Sequence, residues 1–125
     1  MPILKIYIVE DSPYVRKSLV RVISEIPGVK IVGEGENVKS ALEFLTKNES
    51  DVYVLDYNLP DGTGVDIIKS IKQLKLNAIS VVISNIVDEP LRKSILKSGA
   101  DYFFDKSNEI DDLFALLEKL ANEKK

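Results

Sequence analysis

Five short apolar runs alternate along this chain with five segments of helical periodicity, and this alternation strongly limits the folds open to it. The runs are rich in β-branched and aromatic residues and carry few charges, which is typical of strands buried on both faces of a parallel sheet. Strands are therefore predicted at Ile3–Val9, about Val29–Gly33, Val52–Leu55, Ile79–Ile83 and Asp101–Phe104.

Residues with known capping preferences mark the helix ends. Ser12 followed by Pro13, then Asn37 and Asp88, are predicted to begin three of the helices, because short polar side chains accept hydrogen bonds from the first free backbone N–H groups. Gly99 is predicted to end the fourth helix in a left-handed conformation. Strict alternation with right-handed crossovers predicts an α/β fold with a doubly wound five-stranded parallel sheet, (βα)5 and flavodoxin-like, in the strand order 2-1-3-4-5. We expect residues 1–125 to form one domain.

The composition excludes several kinds of chemistry. The chain has no cysteine and no histidine, which removes disulfides, thiolate nucleophiles, the commonest general base and the commonest zinc ligand. A net charge of −3 argues against nucleic acid or a membrane as a direct partner of this domain. The N-terminal apolar run contains Lys5 and is too short for a signal peptide or a membrane span, so we expect a cytoplasmic location.

The third predicted strand ends at Asp56, and a proline and two glycines then turn the chain before the next helix. In open α/β sheets ligands bind at the carboxyl ends of the strands. Glu10 and Asp11 end the first strand, which lies beside the third in the predicted order, so three carboxylates are expected to converge. Such a group should raise a pKa or bind a cation. Mg²⁺ fits, because it takes a few carboxylates, keeps waters and bridges to phosphate oxygens.

Two further polar residues follow the remaining strands of this edge. Ser84 ends the fourth strand, where a short hydroxyl can reach the space above Asp56. Lys106 ends the fifth strand, about 10 Å from the third, a distance that only a long side chain covers. Its ammonium suits the neutralisation of a phosphate. Each feature alone is explained by turns, helix ends or solvation, so the prediction of a functional site depends on their occurring together.

Together these motifs resemble those of the receiver domains of two-component response regulators, the CheY-like superfamily. The resemblance covers essentially the whole chain and is carried by Val9-Glu10-Asp11-Ser12, Val54-Leu55-Asp56, Leu59-Pro60-Asp61-Gly62-Thr63-Gly64, Val81-Val82-Ile83-Ser84, Gly99-Ala100-Asp101 and Asp105-Lys106. It implies a regulatory phosphoacceptor, not an enzyme that turns over external substrates.

The resemblance also implies a role for each residue of the site. Asp56 would accept a phosphoryl group from a phosphohistidine on a sensor histidine kinase or a histidine phosphotransfer protein. The ligands of Mg²⁺ would be the carboxylates of Glu10, Asp11 and Asp56 and a backbone carbonyl at about Asn58. Ser84 and Lys106 would bind the phosphoryl oxygens.

The family's signalling elements are helix four, strand five and helix five. The switch aromatic corresponds to Phe103, which we expect to turn inward as Ser84 moves toward the phosphoryl group; an ordinary core aromatic is the equally open interpretation. Helix four is basic and helix five begins with acidic residues, which suits a homodimer across a two-fold axis, although such charges are more often simply solvated. The residues concerned are Arg92, Lys93, Lys97, Glu109, Asp111 and Asp112.

Two positions affect the details of this interpretation. Ser107 stands where most family members have a proline whose bond to the lysine is typically cis. A cis bond to a non-proline residue costs about 3–4 kcal/mol, so either a trans bond changes the loop or the site tolerates strain. Ile86 is bulky and apolar near the path of attacking water, and we expect Ile86→Glu to speed loss of the phosphoryl group.

Several alternatives stay open or are disfavoured by particular residues. The chain is either a stand-alone receiver or an excised receiver of a longer regulator, including one that binds DNA. A receiver-shaped interaction module that works without phosphorylation is a further possibility. A flavin or nucleotide module is disfavoured, because acids follow the first strand where a glycine-rich anion cradle is needed. A haloacid-dehalogenase-type phosphatase is disfavoured, because Asn58 stands where those enzymes carry a second aspartate.

Overall fold

The computed structural model describes residues 2–85 and 88–124. Within these ranges five strands form one parallel sheet: β1 (Leu4–Val9), β2 (Val29–Gly35), β3 (Val52–Asp56), β4 (Ile79–Ser84) and β5 (Tyr102–Asp105). They alternate with the helices α1 (Pro13–Ser24), α2 (Val38–Lys47), α3 (Gly64–Gln73), α4 (Glu89–Lys97) and α5 (Ile110–Glu123). The strand order is β2-β1-β3-β4-β5, which confirms the predicted doubly wound fold.

The central strand β3 is buried along its whole length. Val52 and Val54 face one layer of the core, which is closed by apolar side chains of α1 and α5. Tyr53 and Leu55 face the other layer, which is closed by α2, α3 and α4. Because helices cover both faces of the sheet, the carboxyl end of β3, where Asp56 is the last residue, is the part of the strand that adjoins the loops at this edge.

The capping predictions are confirmed. The side chains of Ser12, Asn37 and Asp88 each accept a hydrogen bond from a backbone N–H in the first turn of α1, α2 and α4. Gly99 ends α4 at a φ of 119°, a left-handed conformation that glycine adopts without strain. These helix ends thus lie where the sequence predicted them, and the loops between strands and helices are short.

Strand β2 ends later than predicted, at Gly35 instead of about Gly33. A Cβ atom at Gly33 would lie 2.9 Å from Cδ1 of Tyr7, and one at Gly35 would overlap the Tyr7 hydroxyl. These glycines therefore make room for an aromatic ring of β1 and do not break the strand. Helix α3 ends earlier than predicted, at Gln73 instead of near Asn77, and Lys75 follows with a φ of 55°.

The loop between β3 and α3 contains a small antiparallel hairpin that the sequence did not predict. Asn58–Leu59 pairs with Gly62–Thr63, and the Gly64 N–H closes its base by donating to the Tyr57 carbonyl at 3.0 Å. We call this segment the 58–63 hairpin. In the described ranges, every helix falls short of the length and apolar content that a membrane crossing requires.

Candidate functional site

Asp56 lies at the carboxyl end of β3 with only 4% of its surface exposed. Its position follows from the sheet, because β3 is hydrogen-bonded to β1 on one side and to β4 on the other. Helix α3 begins immediately beside it: a Cβ atom at Gly64 would lie 2.9 Å from the Asp56 carbonyl oxygen. A glycine at the start of α3 is therefore required for the chain to turn this closely around Asp56.

The two acids after β1 meet Asp56 at this edge, as the strand order predicted. One carboxylate oxygen from each of Glu10, Asp11 and Asp56 lies within 4.8 Å of the others. Glu10 is buried and Asp11 is exposed, so the group opens to solvent on one side. A cluster made only of carboxylate oxygens, with an open side for water and phosphate, matches the donor set that Mg²⁺ prefers.

Hydrogen bonds fix Glu10 in this position. Its carboxylate accepts from the Ser12 N–H at 3.1 Å, and its carbonyl accepts from the Arg16 side chain at 2.6 Å. The Glu10 N–H donates to the Gly35 carbonyl at 2.9 Å, which ties the loop after β1 to the end of β2. The sequence did not predict the part played by Arg16, because its position in α1 gives no sign that it turns back toward the strand.

Lys106 crosses the edge of the sheet and reaches the acids. Its Nζ donates to Glu10, 96 positions away in the chain, and lies 3.1 Å from Oδ2 of Asp56. Its backbone N–H donates to the Ser84 carbonyl at 2.9 Å, so the end of β4 sets the position from which the side chain extends. The predicted convergence of Lys106 with Asp56 is therefore present, and Glu10 is a second partner.

The loop after Lys106 is held without a proline. No peptide bond among the described residues is cis, so the bond between Lys106 and Ser107 is trans. The buried Asp105 carboxylate accepts hydrogen bonds from the Ser107 N–H at 2.8 Å and from the Asn108 side chain at 3.0 Å. The sequence patterns did not identify this role of Asp105, although its place beside Lys106 in a polar turn was visible.

Burial and neighbouring charges both shift the pKa values of Asp56, Glu10 and Lys106. Burial, reinforced by Glu10 and opposed by Lys106, raises the pKa of Asp56 from 3.8 to about 6. Burial also opposes ionisation of Glu10, but hydrogen bonds from Lys106 and Ser12 outweigh it and lower the pKa of Glu10. Burial disfavours the Lys106 ammonium, yet Glu10 and Asp56 raise its pKa. The site thus holds a charged lysine between a charged Glu10 and the carboxylate that is hardest to ionise.

Ser84 and Asn58, two further predicted residues, lie on the strand next to Asp56 and in the loop that follows it. Ser84 is the last residue of β4, is fully buried, and is paired in register with Asp105. The Asn58 N–H donates to Oδ1 of Asp56 at 3.3 Å, so the 58–63 hairpin begins in contact with the carboxylate. Ile86, which was expected to affect hydrolysis, lies outside the described residues.

Phe103 is buried on β5 and is covered by an arginine of α4. The Arg92 guanidinium lies 4.7 Å from the centre of the Phe103 ring, and it donates to the Phe103 carbonyl at 3.3 Å and to Glu109 at 2.7 Å. Tyr102, the neighbour of Phe103, is 38% exposed, as expected for the next residue along a strand, whose side chain points to the opposite face. The sequence identified Arg92 and Glu109 as charged residues of this surface, but it did not predict that they pair with each other over Phe103 within one chain.

Comparison with known proteins gives one consistent family. The family model described as the response regulator receiver domain matches residues 6–118. The nitrate/nitrite response regulator NarL of Escherichia coli K12 is 29% identical over 93% of this chain and 54% of that protein. The protein-glutamate methylesterase/protein-glutamine glutaminase of Treponema pallidum is 31% identical over 82% of this chain and 26% of that protein. The chain thus spans about half or less of these relatives.

Solved structures agree on the fold. A two-component response regulator of the LuxR family from Aurantimonas sp. SI85-9A1 superimposes with a TM-score of 0.87 at 23% identity, covering 98% of this chain and 88% of that one. The receiver domain of the Francisella response regulator 1452 gives 0.85 at 23% identity, covering 98% and 99%. With the family model matching most of its length, this chain belongs to the response regulator receiver domain family.

Proposed function

We propose that this chain is a phosphoacceptor that receives a phosphoryl group from a histidine of a two-component partner on Asp56. The observation that carries the proposal is the contact of a buried aspartate at the end of β3 with Lys106 and with two further acids. A carboxylate oxygen of Asp56 would attack the phosphorus, the phosphorus–nitrogen bond would break, and the imidazole would leave with a proton. The product is an acyl phosphate on Asp56.

The residues around Asp56 suit the charge that this transfer moves. Glu10, Asp11 and Asp56, with the backbone carbonyl of Asn58, would hold Mg²⁺, which when bound offsets negative charge on the transferring group. Lys106 already lies 3.1 Å from Asp56, so its ammonium needs only a small movement to contact a phosphoryl oxygen. The Ser84 hydroxyl, from the neighbouring strand, would bind another.

The signal would pass from this site to the surface formed by α4, β5 and α5. The acyl phosphate carries about −1.5 to −2 charges on its phosphoryl oxygens in place of the single charge of the carboxylate, and these oxygens draw Ser84 and Lys106 toward Asp56. Both residues adjoin β5, whose Phe103 is covered by Arg92. Repositioning of Phe103 would therefore break the contact of its ring with the Arg92 guanidinium, which gives the domain two states that phosphorylation can bias.

The proposed chemistry is tested by incubating the protein with acetyl phosphate and Mg²⁺ and recording its intact mass. We expect the wild type to gain one phosphoryl group, and Asp56→Asn to gain none, because an amide is not a nucleophile of this kind. Asp112→Asn, which removes an exposed acid of α5, is the matched control and should be modified like the wild type. Modification of Asp56→Asn, or of no protein at all, would refute the proposal.

We also propose a homodimer that forms through α4, β5 and α5, because this surface carries charges of opposite sign that can pair between two copies. Arg92 is already paired with Glu109 and Glu89 within the chain, so the exposed charges that remain on α4 and in the first turn of α5 are Lys93, Lys97, Asp111 and Asp112. We expect a dimer in light scattering with beryllofluoride, a phosphoryl mimic, and Mg²⁺. Asp112→Lys, three residues after Glu109, should weaken this dimer, and Glu43→Lys, which changes an exposed acid of α2, should not. A monomer with and without beryllofluoride would rule the dimer out.

A further inference from the structure

The carboxylate of Asp61 connects the 58–63 hairpin to the first turn of α2. It accepts a hydrogen bond from the Val38 N–H at 2.7 Å and another from the Lys39 N–H at 3.0 Å. These partners lie 23 and 22 positions away in the sequence, so the contact joins two separate loops at the carboxyl edge of the sheet. Asp61 is exposed, and nothing in the core holds it in place.

Asp61 supplies only part of the N-terminal capping of helix α2. Its own N-cap residue Asn37 accepts from the Ser40 N–H at 2.7 Å, and the Ser40 hydroxyl accepts from the Asn37 N–H at 3.4 Å. Two of the first four N–H groups are therefore satisfied locally, and the other two, of Val38 and Lys39, are satisfied by the hairpin. The Val38 N–H, with that of Lys39, lowers the pKa of Asp61, and the partial positive charge of the helix end acts in the same direction.

The other end of the hairpin lies against the phosphoacceptor. Asn58 begins the hairpin and donates its N–H to Oδ1 of Asp56, and Asn58 pairs with Thr63 across the two short strands. The middle packs closely on α2, because a Cβ atom at Gly62 would lie 3.2 Å from Cγ2 of Val38. The hairpin is thus held near Asp56 at its base and by Asp61 at its tip.

Helix α2 is a rigid anchor for that tip. Val38, Ala41 and Leu45 bury their side chains in the core that covers one face of the sheet. A two-residue antiparallel pairing is marginal by itself, so bonds outside the pairing hold the hairpin. At its base the Tyr57 N–H donates to the Ile83 carbonyl at 2.9 Å, and the Thr63 N–H donates to the Asp66 carboxylate at 2.9 Å. The hydrogen bonds to Asp61 are the attachment that the described residues provide at the tip.

We propose that Asp61 is a positioning residue for the metal site, because its bonds to α2 hold the 58–63 hairpin so that the Asn58 carbonyl faces the carboxylates of Glu10, Asp11 and Asp56. This inference rests on the proposed function, in which the Asn58 carbonyl is a ligand of Mg²⁺. Residues that orient a ligand typically change metal affinity about 10–100-fold when they are replaced. Asp61 acts through the backbone, so we expect the lower end of that range.

The test compares Asp61→Ala with Asn37→Ala. Both variants remove a side chain that caps α2, but only the first releases the hairpin. Mg²⁺ is titrated calorimetrically and through the NMR signal of the Asn58 amide. We expect the Kd for Mg²⁺ to rise about tenfold in Asp61→Ala and to stay within about twofold of the wild type in Asn37→Ala. Phosphorylation of Asp61→Ala by acetyl phosphate should be slow at low Mg²⁺ and recover at saturating Mg²⁺.

The outcomes separate this inference from the function on which it rests. If the wild type binds Mg²⁺ and Asp61→Ala binds it equally well, or if Asn37→Ala weakens binding as much, Asp61 is only a helix cap and the inference is wrong. If the wild type binds no Mg²⁺, the proposed function fails and the inference fails with it. Should Asp61→Ala not fold, Asp61→Asn decides: it keeps an acceptor for Val38, loses the second bond, and should bind Mg²⁺ with intermediate affinity.

Discussion

Lys106→Met is expected to lower the free energy of unfolding by about 3–5 kcal/mol at about pH 8 in the absence of divalent cations, as is typical when one partner of a buried ion pair is removed. The Lys106 ammonium contacts both Glu10 and Asp56, whose side chains are 1% and 6% exposed. Without it, two buried carboxylates face each other with no cation between them. The loss should shrink as the pH falls, because one of the two then takes up a proton.

Urea unfolding followed by circular dichroism, with chelator and then with Mg²⁺, measures this effect. Lys119→Met is the matched control, because Lys119 is exposed on α5 and lies 3.9 Å from Glu123; a change of about 0.5 kcal/mol or less is expected there. Mg²⁺ should stabilise Lys106→Met more than the wild type, since Lys106 no longer competes for Glu10. A loss as small as that of the control, or no added response to Mg²⁺, would contradict the prediction.

The sequence was sufficient to predict where four of the five strands end to within one residue, and therefore which residues share the edge. Parallel strands carry near-continuous apolar runs, and the residues that end or follow those runs, such as Asp56, Ser84 and Lys106, lie at the same end of the sheet whatever the detailed packing. The helix caps could also be predicted from the sequence, because a capping side chain such as that of Asn37 accepts a hydrogen bond from a backbone N–H only a few residues away. These predictions depend only on neighbours in sequence and on strand order.

Contacts made by long side chains and by short irregular segments could not be predicted in this way. Lys106 was expected to face Asp56, but its bond to Glu10 depends on the path of a flexible side chain across the edge of the sheet. The bonds of Asp61 to α2 join loops that sequence patterns treat separately. Arg92 looked like one of several surface charges, and its contacts with Phe103 and Glu109 become visible only in the folded chain. The 58–63 hairpin is too short to produce a periodic pattern.

Asp56→Asn is expected to raise the free energy of unfolding of the metal-free protein by about 3 kcal/mol at about pH 8. Each pH unit between the pKa of Asp56 in the unfolded chain and its pKa in the folded protein contributes about 1.4 kcal/mol. The pKa of Asp56 is raised from 3.8 to about 6, so the folded protein holds a proton on Asp56 more tightly than the unfolded chain does. The stability linked to this proton is complete below about pH 4 and is lost as the pH rises through about 6. The amide of the Asp56→Asn variant cannot ionise and avoids that loss.

The prediction is a pH dependence, and a single stability value cannot test it. Urea unfolding in chelator should give a difference between Asp56→Asn and the wild type that grows from about pH 4 to about pH 7 and is constant above it. Asp112→Asn, which removes an exposed acid, should show no such growth. Mg²⁺ should stabilise the wild type and leave Asp56→Asn nearly unchanged, so that the two proteins converge. A difference that does not vary with pH would mean that burial beside Glu10 does not disfavour the ionised Asp56 carboxylate.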